Sequence, residues 1–333
     1  MGRRPRDKPS TEDLLHGSQE QEDAPHRQHF GSRSKDAQQR KMERTAELRA
    51  TEEQNTPDIQ NLPLGQVTQV YSLYYQVHSA IGDRLCVTRK TLSKLSETGI
   101  VVGDEVRFRD GRPGEEPVIE QVLPRRTILT RTDSFKNGRQ HPIVANAGQM
   151  LIVASLAKPA VKWGLVDRMI VAAQSGGLKP MVCLNKTDLV GEDLESAKLV
   201  MDYYARLGVV ALQTSIPDRA GLNELAAALL NRVTVLAGHS GVGKSSLIEA
   251  LQPGLDIRIG PISEFTQKGR HTTTGARRYD LTLPATVIDT PGVKHFGLWS
   301  VTRENLIEYF PDVQAETAPD WRRESYQRIA DSL

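Results

Sequence analysis

The chain has 333 residues, 38% of them hydrophobic and 25% charged, and a formal net charge of +2. Its length suits two domains plus an extension, and it holds no apolar run near the roughly 20 residues of a membrane-spanning helix. So slight a basic excess does not by itself signal a nucleic-acid partner.

No apolar core of a secretion signal opens the chain, so a cytoplasmic protein without a membrane partner is expected. The two cysteines, Cys86 and Cys183, each lie in an apolar strand-like run. They read as reduced core thiols rather than a disulfide or metal site.

Residues 1–60 hold one aromatic residue, Phe30, and mix both signs of charge with Gln, Ser and Pro. Such a segment buries too little apolar surface to offset its ordering entropy, which predicts a disordered N-terminal tail. Arg3, Arg4, Arg6 and Lys8 suggest a transit peptide or an RNA-touching arm, but Asp7, Glu12 and Asp13 argue against the first.

Residues 61–126 alternate as strands do: Gly65–Val70, Tyr74–Val77, Leu85–Val87, Ile100–Phe108 and Val118–Val122. Five short strands separated by turn signals predict a small all-β barrel of the OB type. Arg84, Arg89, Lys90 and Lys94 mark either a solvated face or a strand face that grips RNA phosphates.

Pro124–Arg131 reads as a basic connector, and residues 131–142 as a polar loop. Met150–Ser155 then starts an alternation of buried-type strands and amphipathic helices. Helix Gly164–Ala173, strand Lys179–Leu184, helix Glu192–Leu207, strand Gly208–Gln213, helix Leu222–Leu230 and strand Val233–Ala237 follow in turn. That order predicts an α/β domain with a mostly parallel sheet covered on both faces.

The last of those strands runs into Gly238-His239-Ser240-Gly241-Val242-Gly243-Lys244-Ser245, and Ser246 opens the helix beyond. This fits G-x-x-x-x-G-K-[ST], in which glycines let backbone N–H groups turn inward around phosphates and a helix N-terminus favours the anion. Lys244 reaches the β- and γ-phosphates in such loops, and the Ser245 hydroxyl ligates Mg²⁺. Asn185-Lys186-Thr187-Asp188 ends an earlier strand and fits N-K-x-D. The Asp carboxylate there accepts hydrogen bonds from guanine N1–H and the 2-amino group, a donor pair that adenine lacks. Thr214-Ser215 ends the following strand, where a loop that touches the base is expected, with Ser215 in contact.

Asp289-Thr290-Pro291-Gly292 closes the strand Ala285–Ile288 and looks like the D-x-x-G element of GTPases. There the Asp holds the Mg²⁺ shell through water and the Gly292 N–H meets the γ-phosphate. Thr272, Thr273 and Thr274 lie where a threonine ligates Mg²⁺, with Thr273 preferred. The base-reading loop precedes the phosphate loop, the reverse of an ordinary small GTPase. The same sheet forms if the chain ends are relocated, and the second switch then feeds straight into the C-terminal segment.

This order resembles the RsgA family of circularly permuted GTPases that assist maturation of the bacterial small ribosomal subunit. Gly269-Arg270-His271-Thr272-Thr273-Thr274, Asp289-Thr290-Pro291-Gly292, Phe296-Gly297-Leu298-Trp299 and Val102-Gly103-Asp104-Glu105-Val106 carry the resemblance, from about Leu62 to Trp299. It implies an OB domain over 61–126 that contacts rRNA and a circularly permuted P-loop GTPase domain over 127–299. It also implies hydrolysis of GTP to GDP stimulated by the small subunit, by a protein expected to be monomeric.

The family carries a zinc-binding Cys/His cluster after the GTPase domain. No cysteine follows Cys183 here, so zinc is not expected in the helical segment 300–333. That segment reads as a helix over Arg303–Phe310, a connector over Pro311–Pro319 and a helix over Trp321–Ile329 with Arg322, Arg323 and Arg328. Lys268, Arg270, Arg277, Arg278 and Lys294 are either solvated or in contact with rRNA.

Val293 follows Gly292 and cannot orient a water through its side chain, so slow basal turnover is expected. His271 is preferred over His295 as the water-positioning group. The rival readings are a nucleotide-gated RNA-binding module with incidental hydrolysis, and an ATPase or nucleoside-triphosphate phosphatase.

Overall fold

The computed structural model describes residues 59–88, 99–112, 114–132, 140–189, 193–255, 276–290 and 296–333. Of the tail expected over residues 1–60, the first 58 lie outside them, as do Arg89, Lys90 and Lys94, while Ile59 and Gln60 open a 3₁₀ turn (Ile59–Asn61).

The first five strands are β1 (Leu64–Val70), β2 (Tyr75–Ser79), β3 (Arg84–Thr88), β4 (Glu105–Arg109) and β5 (Val118–Val122). They pair in the order β1-β2-β3-β5-β4, and β4 returns to β1, which closes a barrel. Alternation drives it: Val67, Val77, Cys86, Val106, Phe108 and Ile119 point inward and are fully buried. Gly65 faces the same core, where a Cβ would sit 2.4 Å from Val77 Cγ1.

The fourth strand is shorter than the run Ile100–Phe108 suggested. Val101–Asp104 is a turn instead, with the Val101 N–H donating to Asp104 Oδ2 at 2.8 Å and Gly103 at φ +92°. A buried carboxylate that accepts the Val101 N–H and pairs with Arg125 stops the ladder there.

The connector and loop expected over 124–142 contain a hairpin, β6 (Ile128–Thr132) with β7 (Gln140–Ala145). Its buried residues, Leu129, Thr130, Pro142, Val144 and Ala145, are split between two short arms and do not alternate regularly. The flanking arginines masked the pattern.

The α/β part follows as β8 (Gln149–Ser155), α1 (Trp163–Ser175), β9 (Lys179–Asn185), α2 (Asp193–Arg206), β10 (Val210–Thr214), α3 (Leu222–Leu229), β11 (Val233–Ala237), α4 (Lys244–Leu251), β12 (Arg277–Asp280) and β13 (Thr286–Asp289). The sheet order is β10-β9-β8-β11-β13-β12, parallel except for β12. Every residue of β8 is buried, as a central parallel strand requires. One core packs α1 and α2 on one face, and a second packs α3 and α4 on the other. The edge strand β12 also pairs antiparallel with β1 at Gln69 and Arg277, which runs the barrel and the sheet into one.

Beyond Trp299 a 3₁₀ turn (Leu306–Tyr309) leads into α5 (Pro311–Gln314) and α6 (Asp320–Ala330). Pro311 starts a helix rather than a connector, because its fixed φ and missing N–H suit a first helical turn. Arg303–Phe310 forms only the 3₁₀ turn. Arg322, read as one of three tail cations, is buried against Asp167 of α1 and Asp312 of α5, so it is not a docking cation.

Candidate nucleotide site

The phosphate loop lies between the end of β11 and Lys244, the first residue of α4. Gly238, Gly241 and Gly243 hold φ of +136°, +85° and +96°, a region that side chains rarely tolerate. A Cβ on Gly238 would fall 2.2 Å from the Val153 carbonyl oxygen, and one on Gly243 would fall 2.4 Å from Asn185 Nδ2. Those glycines shape a tight ring of backbone. Lys244 Nζ spans it, donating to the carbonyls of Gly238 at 2.8 Å and His239 at 3.2 Å. His239, Ser240 and Ser246 are exposed, Val242 is buried and Ser245 is half-buried.

Asn185 and Lys186 tie the base-reading loop to this ring. Asn185 Nδ2 donates to the Val242 carbonyl at 2.9 Å, and Lys186 Nζ donates to the carbonyls of Gly241 at 2.6 Å and Lys158 at 2.8 Å. Thr187 Oγ1 donates to the Thr214 carbonyl at 3.2 Å. Asp188 stays exposed, its Oδ1 3.0 Å from the Ser215 hydroxyl, which also lies 2.8 Å from Asp218 Oδ2. A carboxylate pinned at its base and open at its tip suits a ligand that brings two donors.

Asp289 ends β13, two strands from β8 across β11. Its Oδ1 is buried without a hydrogen-bond partner among the described residues. Burial pushes the Asp289 carboxyl above its ordinary value, against the pull of Lys244 and the Thr290 N–H. Burial draws the Lys244 ammonium down, and Asp289 opposes that. An orphaned carboxylate oxygen beside a half-buried cation, with the Ser245 hydroxyl at the helix start, suits a hard divalent ion that prefers oxygen ligands. Thr273, His271 and Gly292, together with His295, Val293, Lys268, Arg270 and Lys294, lie outside the described residues. Arg278 is committed to Asp280 and Gln66, so it is not a free cation for rRNA.

Three contributions escaped the sequence reading. Thr214 Oγ1 donates to Asn185 Oδ1 at 2.9 Å and meets Cys183 Sγ at 3.2 Å, a buried brace beneath the base loop. Thr290 Oγ1 donates to the Leu236 carbonyl at 3.1 Å and pins the D-x-x-G loop to the phosphate-loop strand. The loop after β8 supplies Lys158, which receives Lys186. Only Thr214 carried a signal, its place at a strand end.

A five-stranded closed barrel joined to a sheet whose base-reading loop precedes its phosphate loop defines a circularly permuted P-loop GTPase with an OB-type domain. The RsgA GTPase family model matches residues 122–299. The Small ribosomal subunit biogenesis GTPase RsgA of Pseudomonas aeruginosa (strain UCBPP-PA14) is 38% identical over 262 residues, 78% of this chain and 75% of that protein. RsgA 1 of Vibrio vulnificus (strain YJ016) is 40% identical over 215 residues, 63% of this chain and 60% of that one. The crystal structure of YjeQ from Thermotoga maritima superposes with a TM-score of 0.63 at 26% identity, over 81% of this chain and 98% of that one. YloQ, described as a circularly permuted GTPase, shares the fold with a TM-score of 0.60 at 21% identity, over 83% and 96% of the two chains. The chain belongs to the RsgA GTPase family. It is accordingly a GTP hydrolase that binds GTP and GDP.

Proposed function

We propose that this chain hydrolyses GTP on the small ribosomal subunit and assists that particle's late maturation. The observation that carries the reading is the bond from Asn185 to the Val242 carbonyl, which joins the guanine-reading loop to the phosphate loop. The printed names of the relatives support the partner and favour an enzyme over an RNA-binding module with incidental hydrolysis.

In this reading residues 61–126 contact rRNA, residues 127–299 hydrolyse GTP, and residues 300–333 form a C-terminal segment without zinc. The protein works as a cytoplasmic monomer; among the described residues no helix is long and apolar enough to cross a membrane.

Asp188 accepts from guanine N1–H and the 2-amino group, with Asn185, Lys186, Thr187 and Ser215 holding it in place. Backbone N–H groups of Gly238, His239, Ser240, Gly241, Val242, Gly243 and Ser246 surround the phosphates, and Lys244 neutralises the β- and γ-phosphates. Ser245, Thr273 and Asp289 would hold Mg²⁺. Bound Mg²⁺ supplies charge neutralisation on the phosphates. The Gly292 N–H meets the γ-phosphate, and His271 orients the water that Val293 cannot. The water oxygen bonds to the γ-phosphorus as the bond to the β–γ bridging oxygen breaks, leaving GDP and phosphate.

Turnover of purified full-length chain is slow alone and rises when small subunits are added. Lys244→Ala or Ser245→Ala abolishes it. A rate indifferent to subunits overturns the reading.

A further inference from the structure

The barrel is fastened to the GTPase sheet at the exits of both nucleotide-sensing loops, and the two fastenings meet at one backbone carbonyl. The first leaves the threonine run of 272–274. Arg277, the first residue of β12, pairs with Gln69 of β1, and Arg278 donates to Gln66 Oε1. Gln66 Nε2 in turn donates to the Gly103 carbonyl at 3.3 Å.

The second fastening leaves Gly292. Four residues on, Phe296 bridges Arg131 of β6, and the Gly297 N–H donates to the Thr130 carbonyl at 2.8 Å. Gln140 Nε2 donates to the Leu298 carbonyl at 2.5 Å, while Thr130 Oγ1 donates to Gln140 Oε1 at 3.0 Å. Gly297 is held so closely that a Cβ would lie 2.5 Å from Thr130 Oγ1. The far end of the same hairpin grips the barrel. Val144 bridges Val102, the Ala145 N–H donates to the Val102 carbonyl at 2.9 Å, and Asn146 Nδ2 donates to the Gly103 carbonyl at 3.0 Å. Gly103 is itself jammed against the hairpin, since a Cβ there would lie 1.9 Å from the Ala145 carbonyl oxygen.

We infer that Gln66, Thr130, Gln140 and Asn146 are positioning residues that tie the barrel to the nucleotide state through the Gly103 carbonyl. A shift at the first loop exit reaches Gly103 through the side chains of Arg278 and Gln66, and one at the second through Thr130, Gln140, the paired strands of the hairpin and Asn146. Because β12 follows the first loop and Phe296–Leu298 follow the second, each loop exit leads directly to a contact with the barrel or with the hairpin that grips it. The inference rests on the reading of this chain as a GTP-driven switch, and it adds the route by which the switch addresses its RNA-contacting domain.

The test is hydrogen–deuterium exchange on the full chain, bound to GDP or to a non-hydrolysable GTP analogue, over peptides spanning 64–70, 99–109 and 140–147. Exchange in these peptides differs by about fivefold or more between the two states, the lower end of allosteric coupling. The difference falls below about twofold in Gln66→Met, Gln140→Leu and Gln140→Glu, the last of which keeps an acceptor for Thr130. Affinities for GDP and the analogue stay within about twofold of the parent chain.

Arg126→Gln loses the side-chain pair with Glu105 at the same seam but keeps the backbone N–H that donates to Asn146 Oδ1 at 2.8 Å, so both routes stay intact and it keeps the parent difference. Loss of the difference in Arg126→Gln, or its survival in the Gln66 and Gln140 variants, overturns the inference. So does a parent chain that binds both nucleotides with no change in the barrel peptides. Failure to bind guanine nucleotides in the titration overturns the functional reading, and the inference with it. Binding without subunit stimulation overturns the functional reading alone.

Discussion

Replacing Arg322 with Ala is expected to release the C-terminal helix. Its guanidinium donates to Asp167 Oδ1 at 2.5 Å and to Asp312 Oδ2 at 3.0 Å, and it sits 4.1 Å above the Phe310 ring. The three charged side chains are 3%, 0% and 2% exposed. Tyr204 and Tyr203 donate their hydroxyls to the two carboxylates at 2.7 and 2.8 Å. Removing one partner of a buried pair costs about 3–5 kcal/mol, because the remaining charge stays desolvated. The lost contact with Phe310 overlaps that sum, so roughly 4 kcal/mol is the expected deficit.

That is a large share of the ~5–15 kcal/mol that stabilises a typical domain, so α6 exchanges amide hydrogens well before global unfolding. Exchange over 320–330 and urea denaturation measure it. A triple variant with Arg322→Met, Asp167→Asn and Asp312→Asn recovers most of the loss, since no buried charge remains.

Burial already pushes the Asp167 carboxyl up, with Arg322 the main counterweight. In Arg322→Ala that counterweight is gone and the folded-state value rises further above the unfolded one. The folded variant then binds more protons than the unfolded chain, so its stability falls as pH rises through the folded value. The deficit therefore grows as pH rises. A loss under about 1 kcal/mol, or one that grows toward acid, refutes the reasoning.

Asp188→Asn is expected to lower the preference for GDP over ADP by about 100-fold or more, because an amide presents a donor to guanine donors. Competition binding measures it, and an unchanged ratio removes the base-reading assignment. Gly103→Ala places a methyl group against the Ala145 carbonyl at positive φ, and a loss of roughly 2–4 kcal/mol in unfolding free energy, read from urea denaturation, is expected. Burial pushes both thiols, Cys86 and Cys183, up to about 11 from an ordinary 9. Two pKa units leave about 100-fold less thiolate, so native protein resists alkylation that the denatured chain undergoes. Mass spectrometry over an alkylation time course reads this directly, and rapid native labelling contradicts the burial.

Local order was legible because its causes are local. Glycine spacing before Lys244, the strand ahead of Asp188 and the alternation of Val67 with its neighbours each work within a few residues. Motif order alone implied the relocated chain ends, since a sheet's ligand loops lie at strand ends whatever the connectivity. Arg322 shows the limit. Its sequence neighbours Trp321, Arg323 and Glu324 suit an exposed amphipathic helix, yet its partner Asp167 lies 155 residues away. Hairpin 128–145 was hidden for a related reason, as its hydrogen bonds run partly to Gly297 and Leu298 rather than along an apolar stripe of its own.

By itself, then, the sequence marked the loops expected to hold a guanine nucleotide and determined that a small barrel precedes them. Periodicity and motif spacing encode backbone conformation over a handful of residues, and those features need no more. Only the tertiary structure decided that β12 joins the barrel to the sheet, that Thr214 braces the base loop, and that the C-terminal helix is anchored by a buried arginine. Each depends on charges, donors and shapes that meet only after long loops close, and no local pattern states which distant group will be the partner.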